Sequence, residues 1–169
     1  MNTKILLTSF QTWLPHQNSN SSDDLLVEIK KCKHSSNISL FFLRSLPVNT
    51  ELATKKVIDK IKRLEPDAVI CCGMAEKRNK LTIESNASYK GKCLFTSVDL
   101  ENIGKNLIIT EISNDAGKFV CEGLYYKVLK YIQLHHKEIR CIFIHVPLLN
   151  NTNSNLILED FCSVLRSFL

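Results

Sequence analysis

No apolar run in these 169 residues approaches the roughly 20 that a membrane-spanning helix needs, so no membrane association is expected. There is no C-x-x-C pair and no H-x-x-x-H spacing, so neither a zinc site nor any other metal centre is expected. There is no glycine-rich phosphate loop either, and no cofactor is implied. The 22 lysines and arginines exceed the 17 acidic residues, for a net charge of +5. They are scattered, many at helical spacing opposite apolar positions, with no arginine stripe among aromatics. A nucleic-acid partner is therefore not expected. Residues 1–8 hold one lysine and a short apolar run with no small-residue cleavage site, which reads as a first strand and not as a signal peptide.

What is there is ordinary globular material, 44% apolar and 23% charged, of a length that suits one domain over residues 1–169. The seven cysteines (Cys32, Cys71, Cys72, Cys93, Cys121, Cys141 and Cys162) are odd in number, and several lie inside apolar runs. They read as reduced thiols of a cytoplasmic protein, most of them small core residues.

Short apolar runs at 4–8 and 68–72 read as buried strands, the latter ended by Gly73. Residues 38–43 read as a strand, and 140–146 as a strand of nearly continuous apolar character stopped by Pro147. Residues 81–86 read as extended and 107–112 as a strand. Helical spacing marks 23–33, 50–64, 116–135 and 155–169, with Leu52, Val57, Ile58 and Ile61 on one face of the second. Residues 9–22 form a polar loop long enough to be functional. Residues 89–106 give no clear pattern. Strands that are apolar on both sides and alternate with helices predict an α/β protein. The expected form is a three-layer α/β/α sandwich with a mostly parallel, mixed central sheet and right-handed crossovers.

In such sheets ligands bind at the carboxyl ends of the strands. Cys121 lies near the start of the helix over 116–135, where the macrodipole favours thiolate. His145 ends the next strand, so the chain brings both to one edge, and a cysteine nucleophile needs such a base. A third group usually orients the histidine. Glu84, Asp67 and Asp115 are equal candidates on spacing alone.

At these positions the sequence resembles the pyroglutamyl peptidase I (pyrrolidone carboxyl peptidase) family of thiol proteases. Residues 8–13, T-S-F-Q-T-W, resemble T-G-F-E-P-F, and Leu46-Pro47-Val48 fits L-P-V. Pro66-Asp67, Gly73-Met74-Ala75, Arg78 and residues 81–84 resemble P-D…G-x-A…R…[IL]-x-[IL]-E. Residues 113–121 resemble S-x-x-A-G-x-[YF]-x-C, and 143–147 resemble F-[IL]-H-V-P.

The resemblance implies a phosphorylase/hydrolase-like fold and a hydrolase that removes N-terminal pyroglutamate from peptides. It makes Cys121 the nucleophile, His145 the general base and acid, and Glu84 the orienting carboxylate. Phe10 and Trp13 would sandwich the lactam, and Arg78 would assist the oxyanion. The competing readings are a homologue that acts on another small amide and a catalytically silent binding protein.

The sequence also departs from the family. Ser9 stands for a glycine, Gln11-Thr12 for Glu-Pro, and Leu14-Pro15 for Gly-Gly. Glu122 stands for an asparagine, and an inward carboxylate there would raise the thiol pKa. The stretch between Glu84 and Ser113 is short for the family. The expectation is that residues 86–106 cover the pocket poorly, or that a second copy in a homo-oligomer covers it.

Overall fold

The computed structural model describes residues 2–136 and 138–169. Two hydrophobic cores sandwich a six-stranded sheet. Its strands are β1 (Thr3–Phe10), β2 (Ile38–Leu46), β3 (Ala68–Met74), β4 (Thr82–Glu84), β7 (Glu111–Ser113) and β8 (Arg140–Val146). Their order is β2-β1-β3-β8-β4-β7. The first four run parallel, and β4 reverses against β8 and pairs parallel with β7. Every residue of β3 is buried, which accounts for its unbroken apolar run.

Helices α1 (Ser21–Lys31) and α5 (Ser154–Arg166) cover one face, with the short α3 (Leu100–Gly104). Helices α2 (Thr50–Leu64) and α4 (Val120–His135) cover the other, with a hairpin of β5 (Asn86–Tyr89) and β6 (Lys92–Phe95) beside α4. Among the described residues no helix is long and apolar enough to cross a membrane.

Local chemistry sets the boundaries. Asn49 caps α2 by accepting the Leu52 N–H, and Glu65, left-handed at φ 48°, stops the helix before Pro66. The buried face of α2 is Ala53, Thr54, Val57 and Ile61, while Leu52, expected inward, is exposed. Helix α1 starts at Ser21 because Asn20 caps it through the Ser22 N–H. β3 runs one residue past Gly73.

The strand expected over 107–112 forms only from Glu111. The reason is Asp160, fully buried on α5. Its carboxylate accepts the N–H groups of Ile108 (2.8 Å) and Ile109 (2.9 Å) and the Thr110 hydroxyl (2.6 Å). Backbone donors that a ladder would have used are thus taken by a side chain. Asp160→Ala strands these donors and is expected to cost about 3 kcal/mol. An unchanged urea midpoint would remove Asp160 from this role.

Candidate active site

Chain reversal places the site. β1 is followed by α1 on one face and β2 by α2 on the other, which opens a crevice at the carboxyl ends of β1 and β3. A cavity of about 440 Å³ lies there. Phe10 and Met74 from the strand ends, Ala116 and Val120 near α4, and Cys121 and His145 are among its lining residues.

Cys121 is the second residue of α4. The helix begins at Val120, four residues later than the spacing suggested, because Gly117 is left-handed (φ 85°) and donates its N–H to Asp115 Oδ1 at 3.0 Å. The cap residue, Phe119, makes no side-chain cap bond, so the first-turn N–H groups have no side-chain partner there. The sulfur sits directly over Gly73: a Cβ built on that glycine would meet Sγ at 2.7 Å and the Phe143 ring at 2.9 Å. Gly73 is the register partner of His145 in the β3–β8 ladder. Thiol and imidazole therefore lie over neighbouring strands on one face of the sheet.

Strand alternation sets which of the three carboxylates reaches His145. Thr82 and Glu84 point to the face that holds His145, while Ile83 enters the opposite core. Glu84 is fully buried, and its Oε1 accepts from His145 Nδ1 at 2.7 Å and from Arg78 Nη1 at 2.5 Å. The other two candidates serve elsewhere. Asp67 accepts the Lys4 N–H at the far end of the sheet, and Asp115 holds its own loop. With Nδ1–H donated to a carboxylate, Nε2 is left free to take a proton.

Arg78 is committed on three sides. It donates to Thr82 Oγ1 and Glu84, and to the Asp115 carbonyl at 2.7 Å, tying the β3–β4 loop to the loop before α4. Phe10 is buried at the cavity floor. Trp13 is half-buried at the side, 6.4 Å from Phe119 between ring centroids. Phe119, Met74, Val48 and Gly73 were given no site role from the sequence, although each lies within one of the segments that carry the resemblance.

Burial weighs against a pre-ionised thiol. Burial, the largest cause, pushes Cys121 up to about 12, opposed by its own backbone N–H and reinforced by neighbouring Cys71 and Glu84. The helix terminus, expected to favour thiolate, is outweighed. Glu122 does not contribute, because its carboxylate accepts the Ser88 N–H of β5 at 2.9 Å. That bond anchors the hairpin on α4, and residues 86–106 do not line the cavity, the poor cover that their shortness suggested.

Ser9 has also been accommodated. It is buried within β1 opposite a bulge between Arg44 and Ser45, and its hydroxyl donates to Asp23 at 2.5 Å. Arg44 clamps the same carboxylate with two bonds. Burial works to raise the Asp23 pKa, but these hydrogen bonds prevail and hold it low.

A thiol at a helix start, an imidazole on an adjoining strand and a carboxylate behind that imidazole are the parts of a cysteine hydrolase on an α/β sandwich. Comparison with known proteins narrows the class. The profile of the pyroglutamyl peptidase family matches residues 92–159, a span that includes Cys121 and His145. The pyrrolidone-carboxylate peptidase of Thermoanaerobacter sp. (strain X514) is 31% identical over 172 residues, covering 86% of this chain and 83% of its own. That of Vibrio parahaemolyticus is 28% identical, covering 86% and 79%. Among solved structures, pyroglutamyl peptidase I from Bacillus amyloliquefaciens superposes with a TM-score of 0.82 at 24% identity, covering 98% and 95%. A mutant pyrrolidone carboxyl peptidase from Pyrococcus furiosus gives 0.84 at 21%, covering 99% and 100%. The chain belongs to the pyrrolidone-carboxylate peptidase family.

Proposed function

We propose that this chain is a cysteine peptidase that releases N-terminal pyroglutamate from peptides, with Cys121 as nucleophile, His145 as general base and acid, and Glu84 as the group that orients His145. The observation that carries the reading is the series Sγ over Gly73, His145 beside Gly73, and Glu84 at 2.7 Å from Nδ1.

Because burial keeps Cys121 protonated at rest, the proton leaves Sγ for His145 Nε2 as Sγ attacks the pyroglutamyl carbonyl. Glu84 stabilises the resulting imidazolium. The uncapped N–H groups of the first turn of α4 face the developing oxyanion. His145 then protonates the departing amine, and water cleaves the thioester to free pyroglutamate and restore the thiol. Arg78, with its donors committed, acts by positioning Glu84 and the loop before Cys121.

Phe10 and Trp13 offer flat apolar walls to an uncharged lactam. An ordinary N-terminal ammonium would lose its hydration between them without gaining a free carboxylate, since Glu84 lies behind His145 and Glu76 is held by Gln17.

The test is hydrolysis of pyroglutamyl-p-nitroanilide with parallel iodoacetamide labelling. Hydrolysis is expected, with carbamidomethylation of Cys121 abolishing it. For a thiol raised to about 12, the labelling rate of the resting enzyme should climb through the neutral and alkaline range. A rate flat from acid to neutral pH would show a standing thiolate and overturn the proton order given above. No hydrolysis, with Cys121 still alkylated, would assign the site to another amide.

A further inference from the structure

The cavity is polarised between its floor and its rim. Phe10, Met74, Ala116 and His145 are buried at the floor, whereas Lys77 and Lys118 stand exposed at the rim. The two lysines come from different loops, one after β3 and one before α4, and both line the same cavity as Cys121.

The other charges near the rim are already engaged. Arg78 is paired with Glu84. Glu76 accepts from Gln17 Nε2 at 2.8 Å and lies 3.3 Å from His16 Nε2. The same Gln17 takes the Trp13 N–H at 2.9 Å, so Glu76 serves to hold the Trp13 loop. The Asp115 carboxylate holds the Gly117 N–H, and Glu122 holds the Ser88 N–H. Among the described residues neither Lys77 nor Lys118 has an ion-pair partner.

Resting on the peptidase reading, we infer that Lys77 and Lys118 are specificity-determining residues that select peptides with a carboxylate on the residue following the pyroglutamate. With the lactam on the apolar floor and its carbonyl at Cys121, the next residue leaves through the rim. A carboxylate there meets two ammonium groups that have no ion-pair partner among the described residues, and a lysine there meets like charge. The side-chain carboxylate is the form committed to. A free C-terminal carboxylate on a dipeptide is the other source of the same chemistry.

The experiment compares kcat/KM for three C-terminally amidated substrates: pyroglutamyl-glutamyl, pyroglutamyl-glutaminyl and pyroglutamyl-lysyl amide. The free acid pyroglutamyl-glutamine is run beside them. Both the wild-type chain and the Lys77→Gln/Lys118→Gln double variant are assayed. At about 0.01 M salt the glutamyl amide should exceed the glutaminyl amide by about five-fold in the wild type, with the lysyl amide slowest. The glutamyl-to-glutaminyl ratio should fall toward one in the double variant, and in the wild type at about 1 M salt.

A wild-type ratio of one overturns the inference while leaving the peptidase reading intact. A ratio that survives the double substitution removes the two lysines from the role. A preference confined to the free acid overturns the side-chain form. No cleavage of any of the four substrates overturns the peptidase reading, and this inference with it.

Discussion

Replacing Glu84 with glutamine is expected to lower kcat/KM for a pyroglutamyl amide by about 10⁴-fold, the scale seen when the carboxylate of a serine–histidine triad becomes an amide. One oxygen, Oε1, accepts from both His145 Nδ1 and Arg78 Nη1. A glutamine is neutral: with its oxygen in the place of Oε1 it can accept from both donors, its NH₂ takes the place of the unpartnered Oε2, and no carboxylate remains to stabilise the imidazolium. With the amide turned the other way, the NH₂ faces Nδ1 and selects the tautomer with its proton on Nε2, and that imidazole cannot take the Cys121 proton. The demand on His145 is unusually high here because the thiol it must deprotonate has been raised to about 12.

Some loss of stability accompanies the change, since Arg78 loses its partner in a half-buried setting. A thermal melt read beside the kinetics separates unfolding from lost chemistry. A well-folded variant within ten-fold of wild type would move the orienting role away from Glu84. Asp67→Asn, at the opposite end of the sheet, should change kcat/KM by no more than a small factor.

The contrast between these two carboxylates shows what the sequence alone could carry. Periodicity located the helices and the buried strands, because burial on two faces leaves an unbroken apolar run that needs no tertiary knowledge to read. It also paired Cys121 with His145 through the order of strand, helix and strand. It could not choose among Glu84, Asp67 and Asp115. That choice depends on β4 running antiparallel to β8, a non-local pairing that turns Glu84 toward His145. Only the resemblance favoured Glu84.

The same limit explains the strand misplaced over 107–112. Its β-branched residues satisfied the pattern, but the buried acceptor that diverts their N–H groups sits some 50 residues away on α5. Glu122 and Ser9 looked troublesome in sequence and are benign in structure for a related reason. Each found a backbone N–H to bind, at Ser88 and Ser45, positions that no local spacing reveals.

Gly73→Ala tests the most compact feature of the site, and kcat/KM is expected to fall by about 10³-fold. The backbone at Gly73 is not in the left-handed region, so alanine meets no conformational penalty there. The cost is steric, with a methyl at 2.7 Å from Cys121 Sγ and 2.9 Å from Phe143 Cζ. Phe143 cannot yield. It is fully buried, with its ring centroid 5.6 Å from that of Tyr125 and 4.9 Å from that of His145. The sulfur is at the end of a single rotatable bond at the start of a helix, so the sulfur moves. A displacement of about 1 Å already costs about 10²-fold in a positioned reaction, and turning Sγ away from His145 costs more. Overpacking of the core should add about 1–3 kcal/mol of destabilisation, visible in a urea melt. Activity within a few-fold of wild type, in a variant that melts normally, would show that Cys121 does not react from its seat over Gly73.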